Sequence, residues 1–485
     1  MNPIRRVAVI GAGPSGLASV KYLLAEKYFD QIDVFEQRSC VGGAWNYSPS
    51  PCKRTVSTSV PHLNPNEPVE KPTWVDQPDG TREAVFVSPL YDMLETNIPK
   101  ELMRFAEKSF PPQTQLFPKH HMVKQYLEDY AKDVKSFVQF ETQVVDVQLK
   151  DSSLSTWELV TKNLRTGVAK SSIYDAVVVA SGHFTVPYLP DIPGIQSWDE
   201  FYPGAISHSK FYDSPEAFRD KKVVVVGSSA SGLDIGAQIN GVSLGKILAS
   251  QKSESYLSAS SPADKIICPE IVEFLSPASH DRAVRFADGR VEEQVDAVVF
   301  CTGYFYSFPF LSSLEPPVVT HGWRTMNTFR HLFYIDRPTL AFPVLSQRVI
   351  PFPMAENQAS VFSRVWSGRL QLPSTEEMRT WESIEIATKG DQKAYHVLQF
   401  PQDADYLNFL YDWAASAEPR IGLDNSGKGK LGTYWGDRER WMRANFPEIR
   451  RAFVQKGDQR EEIRSLAELG FVFEEHKREQ GQVKL

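Results

Sequence analysis

The feature of this sequence that most constrains its fold is a pair of strand–turn–helix units, each built around a turn of small residues. The first unit reads VAVIGAGPSGLA (7–18) and the second reads VVVVGSSASGLD (223–234). In each, four apolar residues typical of a buried parallel strand precede the turn, and a helical pattern follows it. This order indicates a turn that places the phosphates of a dinucleotide at a helix N-terminus. The chain is therefore expected to contain two nucleotide-binding lobes.

The turn of the first unit, GAGPSG (11–16), is termed the first cradle. One glycine is expected to make the tight turn, one to let the backbone approach the pyrophosphate, and one to let helix and strand pack closely. The predicted contacts are Gly11, Gly13, Pro14, Ser15 and Gly16. The following strand ends in Glu36, whose carboxylate can accept both ribose hydroxyls and disfavours a 2′-phosphate. In VGGAW (41–45), Gly43 and Trp45 are predicted to approach a flat ligand closely, which favours a flavin.

The turn of the second unit, GSSASG (227–232), is termed the second cradle. Its predicted contacts are Gly227, Ser228, Ser229, Ala230, Ser231 and Gly232. Its second strand (246–250) ends without an acid, and the side chains of Ser250 and Lys252 suit a 2′-phosphate. One unit thus favours an unphosphorylated ribose and the other a phosphorylated one. FAD and NADPH fit that pair.

These units predict an α/β fold with two Rossmann-like, dinucleotide-binding domains, the NADPH domain being inserted into the FAD domain. We predict a first part of the FAD domain at 1–189, an NADPH domain at 190–315, and the remainder of the FAD domain with a helical cover at 316–485. Each domain is expected to close with a buried strand whose end offers backbone donors. The residues at these two ends are Ser181 and Gly182 in the first domain and Cys301, Thr302 and Gly303 in the second.

The secondary structure between the motifs is predicted from composition and periodicity. The Pro- and Ser-rich stretch 48–90 indicates an irregular excursion. Two alternating segments predict a strand hairpin, and three segments of helical periodicity predict helices. The predicted strands are 137–149 and 157–164, and the predicted helices are 121–131, 356–369 and 376–384.

Composition and charge exclude several classes of protein. A formal net charge of −7 provides no basic surface for nucleic acid. No apolar window is long enough for a membrane span. The four cysteines are too widely spaced for a CxxC pair or a metal knuckle. We expect a cytoplasmic protein without a bound metal, able to form a homodimer.

The motifs together resemble a known family. GAGPSG with Glu36, GGAWNY, GSSASGLD and CTGYFYSFPF occur in the order and spacing of the flavin-containing monooxygenases, and the chain is most similar to their yeast-type members. The family signature FxGxxxHxxxY is matched by YPGAISHSKFY (202–212), with Tyr202 in place of the leading Phe. Related Baeyer–Villiger enzymes carry Trp at the position of Tyr212.

The resemblance implies an FAD- and NADPH-dependent monooxygenase of the N,N-dialkylaniline type. In that chemistry NADPH reduces FAD, O₂ adds at flavin C4a, and the hydroperoxide transfers one oxygen to the nitrogen or sulfur of a small amine, sulfide or thiol. Asn97 is implied as the catalytic residue, because its neutral amide can hydrogen-bond nicotinamide ribose or peroxide without protonating it. His208 is implied as a contact between the lobes. Further implied cofactor contacts are Thr96, Val144, Tyr212 and Gln358.

Other functions remain open at this point. An N-hydroxylase acting on one amine or amino acid would share part of the motif set. A non-catalytic NADPH-dependent redox sensor would keep both cradles, and the same chemistry could close a ring or a disulfide on a specialised metabolite. A flavin disulfide reductase is disfavoured, because no CxxC or CxxxxC pair occurs.

Overall fold

The computed structural model describes residues 3–49, 52–53, 58–151, 156–252 and 265–482. Within these ranges the chain is an α/β protein with two mainly parallel sheets. The strands are β1 (Arg6–Ile10), β2 (Gln31–Phe35), β3 (Thr73–Asp76), β4 (Arg82–Val85), β5 (Val138–Gln139), β6 (Thr142–Asp151), β7 (Thr156–Asn163), β8 (Ala169–Tyr174), β9 (Ala176–Val179), β10 (Val186–Pro187), β11 (Ile206–His208), β12 (Val223–Val226), β13 (Leu248–Ser250), β14 (Ile266–Cys268), β15 (Ile271–Phe274), β16 (Val284–Phe286), β17 (Val291–Glu292), β18 (Ala297–Phe300), β19 (Tyr304–Phe305), β20 (Thr328–Phe329), β21 (Phe333–Tyr334) and β22 (Leu340–Ala341).

The helices cover both sheets and form most of the C-terminal third. They are α1 (Pro14–Ala25), α2 (Lys100–Met103), α3 (His120–Tyr130), α4 (Ile195–Phe201), α5 (Ala230–Asn240), α6 (Pro351–Trp366), α7 (Thr375–Lys389), α8 (Gln402–Ala415), α9 (Asp437–Ala444), α10 (Phe446–Gln455) and α11 (Phe473–Gln482).

The first sheet has the strand order β20-β21-β22-β9-β1-β2-β5, and β1 pairs in parallel with both β2 and β9. Val7 and Val9 belong to one buried cluster, which includes residues of α1 and α6, whereas Ala8 and Ile10 belong to the cluster on the opposite face. Because both faces are buried, β1 is apolar at every position after Arg6. The first cradle follows its C-terminal end.

The second sheet has the order β11-β18-β12-β13-β14, and β12 pairs in parallel with β13 and β18. Val224 contributes to one buried cluster, and Val223 and Val225 to another. The second cradle follows the C-terminal end of β12, just as the first follows β1. The chain therefore forms two dinucleotide-binding folds of the same kind.

Two short antiparallel strands, β10 and β19, join the lobes. Val186 pairs with Phe305 and Pro187 with Tyr304, so the chain enters and leaves the second sheet side by side. β20, β21 and β22 then rejoin the first sheet. This path is that of a second lobe inserted into the first. The boundaries at 189 and 315 stay a prediction.

The helices of the C-terminal third pack onto the first lobe. α6 packs along α1, and residues of α7 to α10 join the same buried cluster. The end of α1 is tied to this region by a buried ion pair, in which Arg369 Nε lies 2.8 Å from Glu26 Oε2. No helix of the described chain is both long enough and apolar enough to cross a membrane.

Three secondary-structure predictions are corrected. The excursion 48–90 contains the β3–β4 hairpin, although residues 50–51 and 54–57 lie outside the described residues. The predicted two-stranded hairpin is a three-stranded sheet, because the polar segment 169–174 adds β8. α6 begins at Pro351 rather than at Glu356, since proline is accepted in the first turn of a helix, where no intrahelical N–H bond is lost.

Candidate active site

The backbone of the first cradle closes tightly against the neighbouring strand. Gly11 has a φ of +100°, and a Cβ added there would lie 2.6 Å from the carbonyl oxygen of Ala180, at the end of β9. A Cβ on Gly16 would overlap the carbonyl oxygen of Gly11. Any larger side chain at either position would push α1 away from the sheet. The first turn of α1 is thereby held at the sheet edge, with its free N–H groups available to phosphate.

A second glycine turn faces the first cradle. The N–H of Gly42 donates to Ala12 O at 2.9 Å, and a Cβ on Gly43 would lie 2.9 Å from the Cα of Gly13. Trp45 follows, and its ring packs edge-on against Phe352. Bare backbone flanked by an aromatic ring is the surface that a flat ring system requires, and Gly13, Gly43 and Trp45 all line one cleft.

Glu36 is fixed at the tip of β2 by two backbone donors. Ala12 N donates to Oε2 at 2.8 Å, and Arg38 N donates to Oε1 at 2.9 Å. Burial raises the pKa of the carboxyl, while the nearby Arg38 guanidinium acts in the opposite direction. A carboxylate can accept about four hydrogen bonds, so two acceptor sites remain for the hydroxyls of a ribose. Glu36 lines the cleft beside the first cradle.

The second cradle repeats the backbone arrangement of the first. Gly227 has a φ of +112°, and a Cβ there would lie 2.6 Å from the carbonyl oxygen of Cys301, at the end of β18. A Cβ on Gly232 would overlap Gly227 O. Ser229 precedes α5, and its hydroxyl does not cap the helix. The first turn of α5 is therefore open toward the cleft.

Both predicted contacts at the tip of β13, Ser250 and Lys252, have partners within the protein. Ser250 lines the cleft, but its hydroxyl is buried and donates to Pro269 O at 3.0 Å, and its contact with a phosphate stays a prediction. Lys252 lines the cleft but pairs with Glu270 at 2.7 Å. Both side chains of that pair are well exposed, and an exposed ion pair contributes little, so Lys252 can exchange this partner for a phosphate.

The loop that carries Asn97 runs along the cleft between the cradles. Thr96 N donates to Pro118 O at 2.9 Å, which anchors the backbone. The preceding residue, Glu95, pairs with Arg460, whose Nε donates to Glu95 Oε2 at 3.1 Å. Thr96 and the half-buried Asn97 both line the cleft. The backbone of this loop is thus anchored, and Asn97 lies at the wall of the cleft.

His208 makes its hydrogen bonds within the second lobe, and its implied role as a contact between the lobes stays a prediction. Its Nδ1 accepts from Lys210 N, and its Nε2 bonds to Gly303 O, each at 3.0 Å. Burial lowers its pKa to about 3, so the ring stays neutral. Tyr212 is also buried, with its hydroxyl donating to Gln238 Oε1 at 2.9 Å. Neither ring lines the cleft, so both position the residues around them.

Gln358 is fully buried in α6 and does not reach the cleft either. Its Oε1 accepts from Val344 N at 2.7 Å, and its Nε2 donates to the Tyr406 hydroxyl at 3.2 Å. It therefore shapes the backbone of Val344, which does line the cleft. Of the other predicted contacts, the cleft is lined by Pro14, Ser15, Val144, Ser181, Gly182, Ser228, Ala230, Ser231, Thr302 and Gly303.

Some cleft residues were missed from the sequence. Arg348 and Lys393 come from the C-terminal third, and Trp323 from the loop before β20. A lone charge or ring in a loop carries no local signal, and only the tertiary fold brings these three together. His183 was also missed, although it directly follows Ser181 and Gly182.

A single cleft of about 2730 Å³ connects all of these parts. A pocket for one drug-sized ligand is typically about 300 to 1,000 Å³, so this cleft has room for two dinucleotides and a substrate. The glycine positions of both cradles, where a Cβ would collide with backbone, fit two pyrophosphates. Among the residues described, no group of three or more His, Cys, Asp or Glu side chains is arranged to hold a metal ion.

Comparison with known proteins finds one matching family model and relatives that cover most of the chain. The family model described as flavin-binding monooxygenase-like matches residues 83–275 and 263–421. The chain is 33% identical over 424 residues to flavin-containing monooxygenase FMO GS-OX5 of Arabidopsis thaliana, with 83% of each chain covered. It is 31% identical over 445 residues to a thiol-specific monooxygenase of Saccharomyces cerevisiae, covering 87% of this chain and 88% of the relative. Among solved structures, it is similar to S-allyl-L-cysteine S-oxygenase from Allium sativum, with a TM-score of 0.74, 27% identity and 96% of each chain covered.

Proposed function

Because the chain belongs to the flavin-binding monooxygenase-like family, we propose that it transfers one oxygen atom from O₂ to a soft sulfur or nitrogen atom of a small molecule. For a sulfide the balanced reaction is R–S–R′ + O₂ + NADPH + H⁺ → R–S(O)–R′ + NADP⁺ + H₂O. The observation that carries the proposal is the single cleft bordered by both cradles and by the Asn97 loop. FAD and NADPH are the expected cofactors.

Each cofactor has a distinct set of residues. The first cradle would hold the FAD pyrophosphate, Glu36 its ribose, and the turn of Gly43 and Trp45 its ring system. The second cradle would hold the NADPH pyrophosphate, and Lys252 would contact the 2′-phosphate. When bound, FAD supplies the redox chemistry, accepting two electrons from NADPH and activating O₂.

The protein's own contribution is to position groups and to keep protons away. The Asn97 amide can donate or accept a hydrogen bond, but it does not titrate. His208 stays neutral behind the second cradle because burial lowers its pKa to about 3. Glu36 has both oxygens engaged by backbone donors. The arrangement binds and orients ligands and shields the reacting atoms from water, and it needs no side-chain nucleophile.

Sulfur is the favoured target atom. Two relatives that cover most of this chain are described as a thiol-specific monooxygenase and an S-oxygenase of S-allyl-L-cysteine. Nitrogen oxygenation and N-hydroxylation of a single amine remain within the same reaction class. The proposal therefore ranks thiols and sulfides above tertiary amines as substrates.

The test uses FAD-loaded protein, NADPH and isotopically labelled O₂ with three probes: methyl p-tolyl sulfide, cysteamine and N,N-dimethylaniline. We expect NADPH consumption that depends on the probe, and one labelled oxygen atom in the sulfoxide formed from the sulfide. Cysteamine should give a sulfenic acid that condenses with a second thiol to the disulfide cystamine, and the labelled oxygen then leaves as water. Reactions without NADPH serve as the control. NADPH consumption that yields only H₂O₂, with no labelled product from any probe, would contradict the proposal. Activity on the amine alone would overturn the preference for sulfur.

A further inference from the structure

Two cationic side chains, Lys393 and Arg348, line the cleft without belonging to either cradle. A parallel bridge between Gln347 and Val397 brings them to the same region. In this bridge the N–H of Gln347 donates to His396 O at 2.8 Å. The segment that ends in Arg348 is thereby held beside the segment that begins at Lys393.

Lys393 is fixed against the second lobe and is still accessible from the cleft. Its Nζ donates to Thr302 O at 2.9 Å and lies 5.5 Å from the centre of the Trp323 ring. The surrounding protein lowers the pKa of Lys393, and the Arg348 guanidinium lowers it further. Lys393 is exposed, and an ammonium group beside a second cation is stabilised by an anion.

Arg348 is held in place by its neighbours. Its backbone has a φ of +61°, a conformation that residues with side chains adopt at a cost and that persists only where the surroundings enforce it. The guanidinium donates to Gln399 Oε1 at 3.2 Å. The backbone carbonyl oxygen of Arg348 accepts a hydrogen bond from the Arg443 guanidinium at 3.0 Å. The backbone of Arg348 is therefore held by the fold, and its exposed guanidinium extends from that fixed point.

The same cleft also offers apolar surface and uncharged polar groups. Its wall includes Tyr304, Phe310 and Trp323 together with Ser307 and Gln347. Aromatic rings with a small number of fixed polar groups are typical of small-molecule sites. Two cations in such a wall select a ligand with an apolar body and one anionic group, because ammonium and guanidinium groups form charge-assisted hydrogen bonds with a carboxylate.

We propose that Lys393 and Arg348 bind a carboxylate on the substrate, remote from the atom that is oxygenated, so that the enzyme prefers anionic thiols and sulfides over neutral ones. This inference rests on the proposed function and narrows its substrate class. Thr302 follows the closing strand of the second cradle, so a cofactor phosphate is the other source of the same anionic chemistry. The experiment separates the two sources.

The test compares two probes that differ in charge but hardly in shape, 4-(methylthio)butanoate and 4-(methylthio)butanamide. Their methylene chains insulate the sulfur from the terminal group. The measured quantity is kcat/KM for the acid divided by kcat/KM for the amide, in FAD-loaded protein. We expect the wild-type ratio to exceed one and to fall about tenfold in Lys393→Met and in Arg348→Gln, since each change removes a charged hydrogen-bond donor. Lys393→Glu should lower it further.

Lys132→Gln is the matched control, because it removes one positive charge from a side chain that is 77% exposed and does not line the cleft. Its ratio should equal that of the wild type. A separate measurement on the wild-type holoenzyme covers the case in which a variant folds poorly. Butanoate should inhibit oxygenation of the amide competitively, and butanamide should not.

An unchanged ratio in Lys393→Met and Arg348→Gln, or equal inhibition by butanoate and butanamide, would overturn the inference. A raised KM for NADPH with an unchanged ratio would also overturn it, and would assign the cations to the cofactor. Failure of the proposed function gives a different result, namely NADPH consumption without oxygenation of either probe by the wild-type protein.

Discussion

The two cradles have the same backbone and different strand tips. A Cβ on the first glycine of each would lie 2.6 Å from the carbonyl oxygen that ends the neighbouring strand, Ala180 O in one and Cys301 O in the other. At the tips, Glu36 is buried and held by two backbone donors, whereas Lys252 is exposed and pairs with Glu270. We therefore propose that phosphate binding depends on backbone packing, which both lobes share, and that the choice of ribose depends on the side chain at the tip.

The largest expected effect is the loss of a cofactor, and the cofactor that is lost should differ between the two cradles. Gly11→Ala should give protein without flavin, while Gly227→Ala should keep its flavin and lose NADP⁺ affinity by at least about a hundredfold. In both cases a Cβ would displace the helix N-terminus from the phosphate. The measurements are the flavin-to-protein ratio and the dissociation constant for NADP⁺.

Gly80→Ala is the matched control for these variants. Gly80 has a φ of +81°, but a Cβ there meets nothing within 4 Å, so it carries the backbone strain without a collision. It should retain both cofactors. Loss of flavin in Gly227→Ala, with Gly11→Ala unaffected, would reverse the assignment of the two cradles.

The next effect contrasts the pH dependence of the two lobes. Burial raises the pKa of Glu356, in α6 of the first lobe, to about 7. A raised acid pKa means that the native state binds more protons, so stability should fall as pH rises from about 4.5 to about 7, by on the order of 3 kcal/mol. Burial lowers the pKa of His208, in the second lobe, to about 3. Its contribution should be present above about pH 6.5 and be lost as pH falls toward 3.

Urea unfolding of the apoprotein across this pH range measures both effects. The free energy of unfolding of the wild type minus that of Glu356→Gln should decline as the pH rises. The free energy of unfolding of the wild type minus that of His208→Gln should increase as the pH rises. If both differences changed with pH in the same direction, the two lobes would not differ in the pH dependence of their stability.

A smaller effect is expected at the point where the two cofactors would meet. Asn97→Ala should leave reduction of the flavin by NADPH within about threefold and lower the product formed per NADPH consumed by about tenfold, because a hydrogen-bonding group is lost without a change in either cradle. Asn64→Ala, an exposed loop substitution, should change neither quantity. Unaltered coupling in Asn97→Ala would remove Asn97 from the reaction.

The smallest effect concerns the exposed tip of the second unit. Lys252→Met should raise KM for NADPH about threefold, and Glu270→Gln should lower it by a similar factor, because the lysine then lacks its competing partner. KM for NADH should stay the same in both. Parallel changes for NADH and NADPH would show that this ion pair does not contact the 2′-phosphate.

Local sequence was sufficient where the structure depends on neighbouring residues. Both cradles and the acid at Glu36 were predicted because strand, turn and helix are contiguous. The hydrogen-bond partners of the Ser250 and His208 side chains, Pro269 and Gly303, could not be predicted because they are set by the tertiary fold. The same limit applies to Lys393, whose neighbour Arg348 is distant in sequence. The β3–β4 hairpin was missed because proline-rich flanks obscured two short alternating strands.

The most direct test of the account is anaerobic mixing of FAD-loaded protein with NADPH. The shared cleft predicts that the flavin absorbance bleaches in one process whose rate saturates with NADPH, and that this process is lost in Gly227→Ala although the variant retains its flavin. Flavin that dithionite reduces but NADPH does not, at any concentration, would contradict the account.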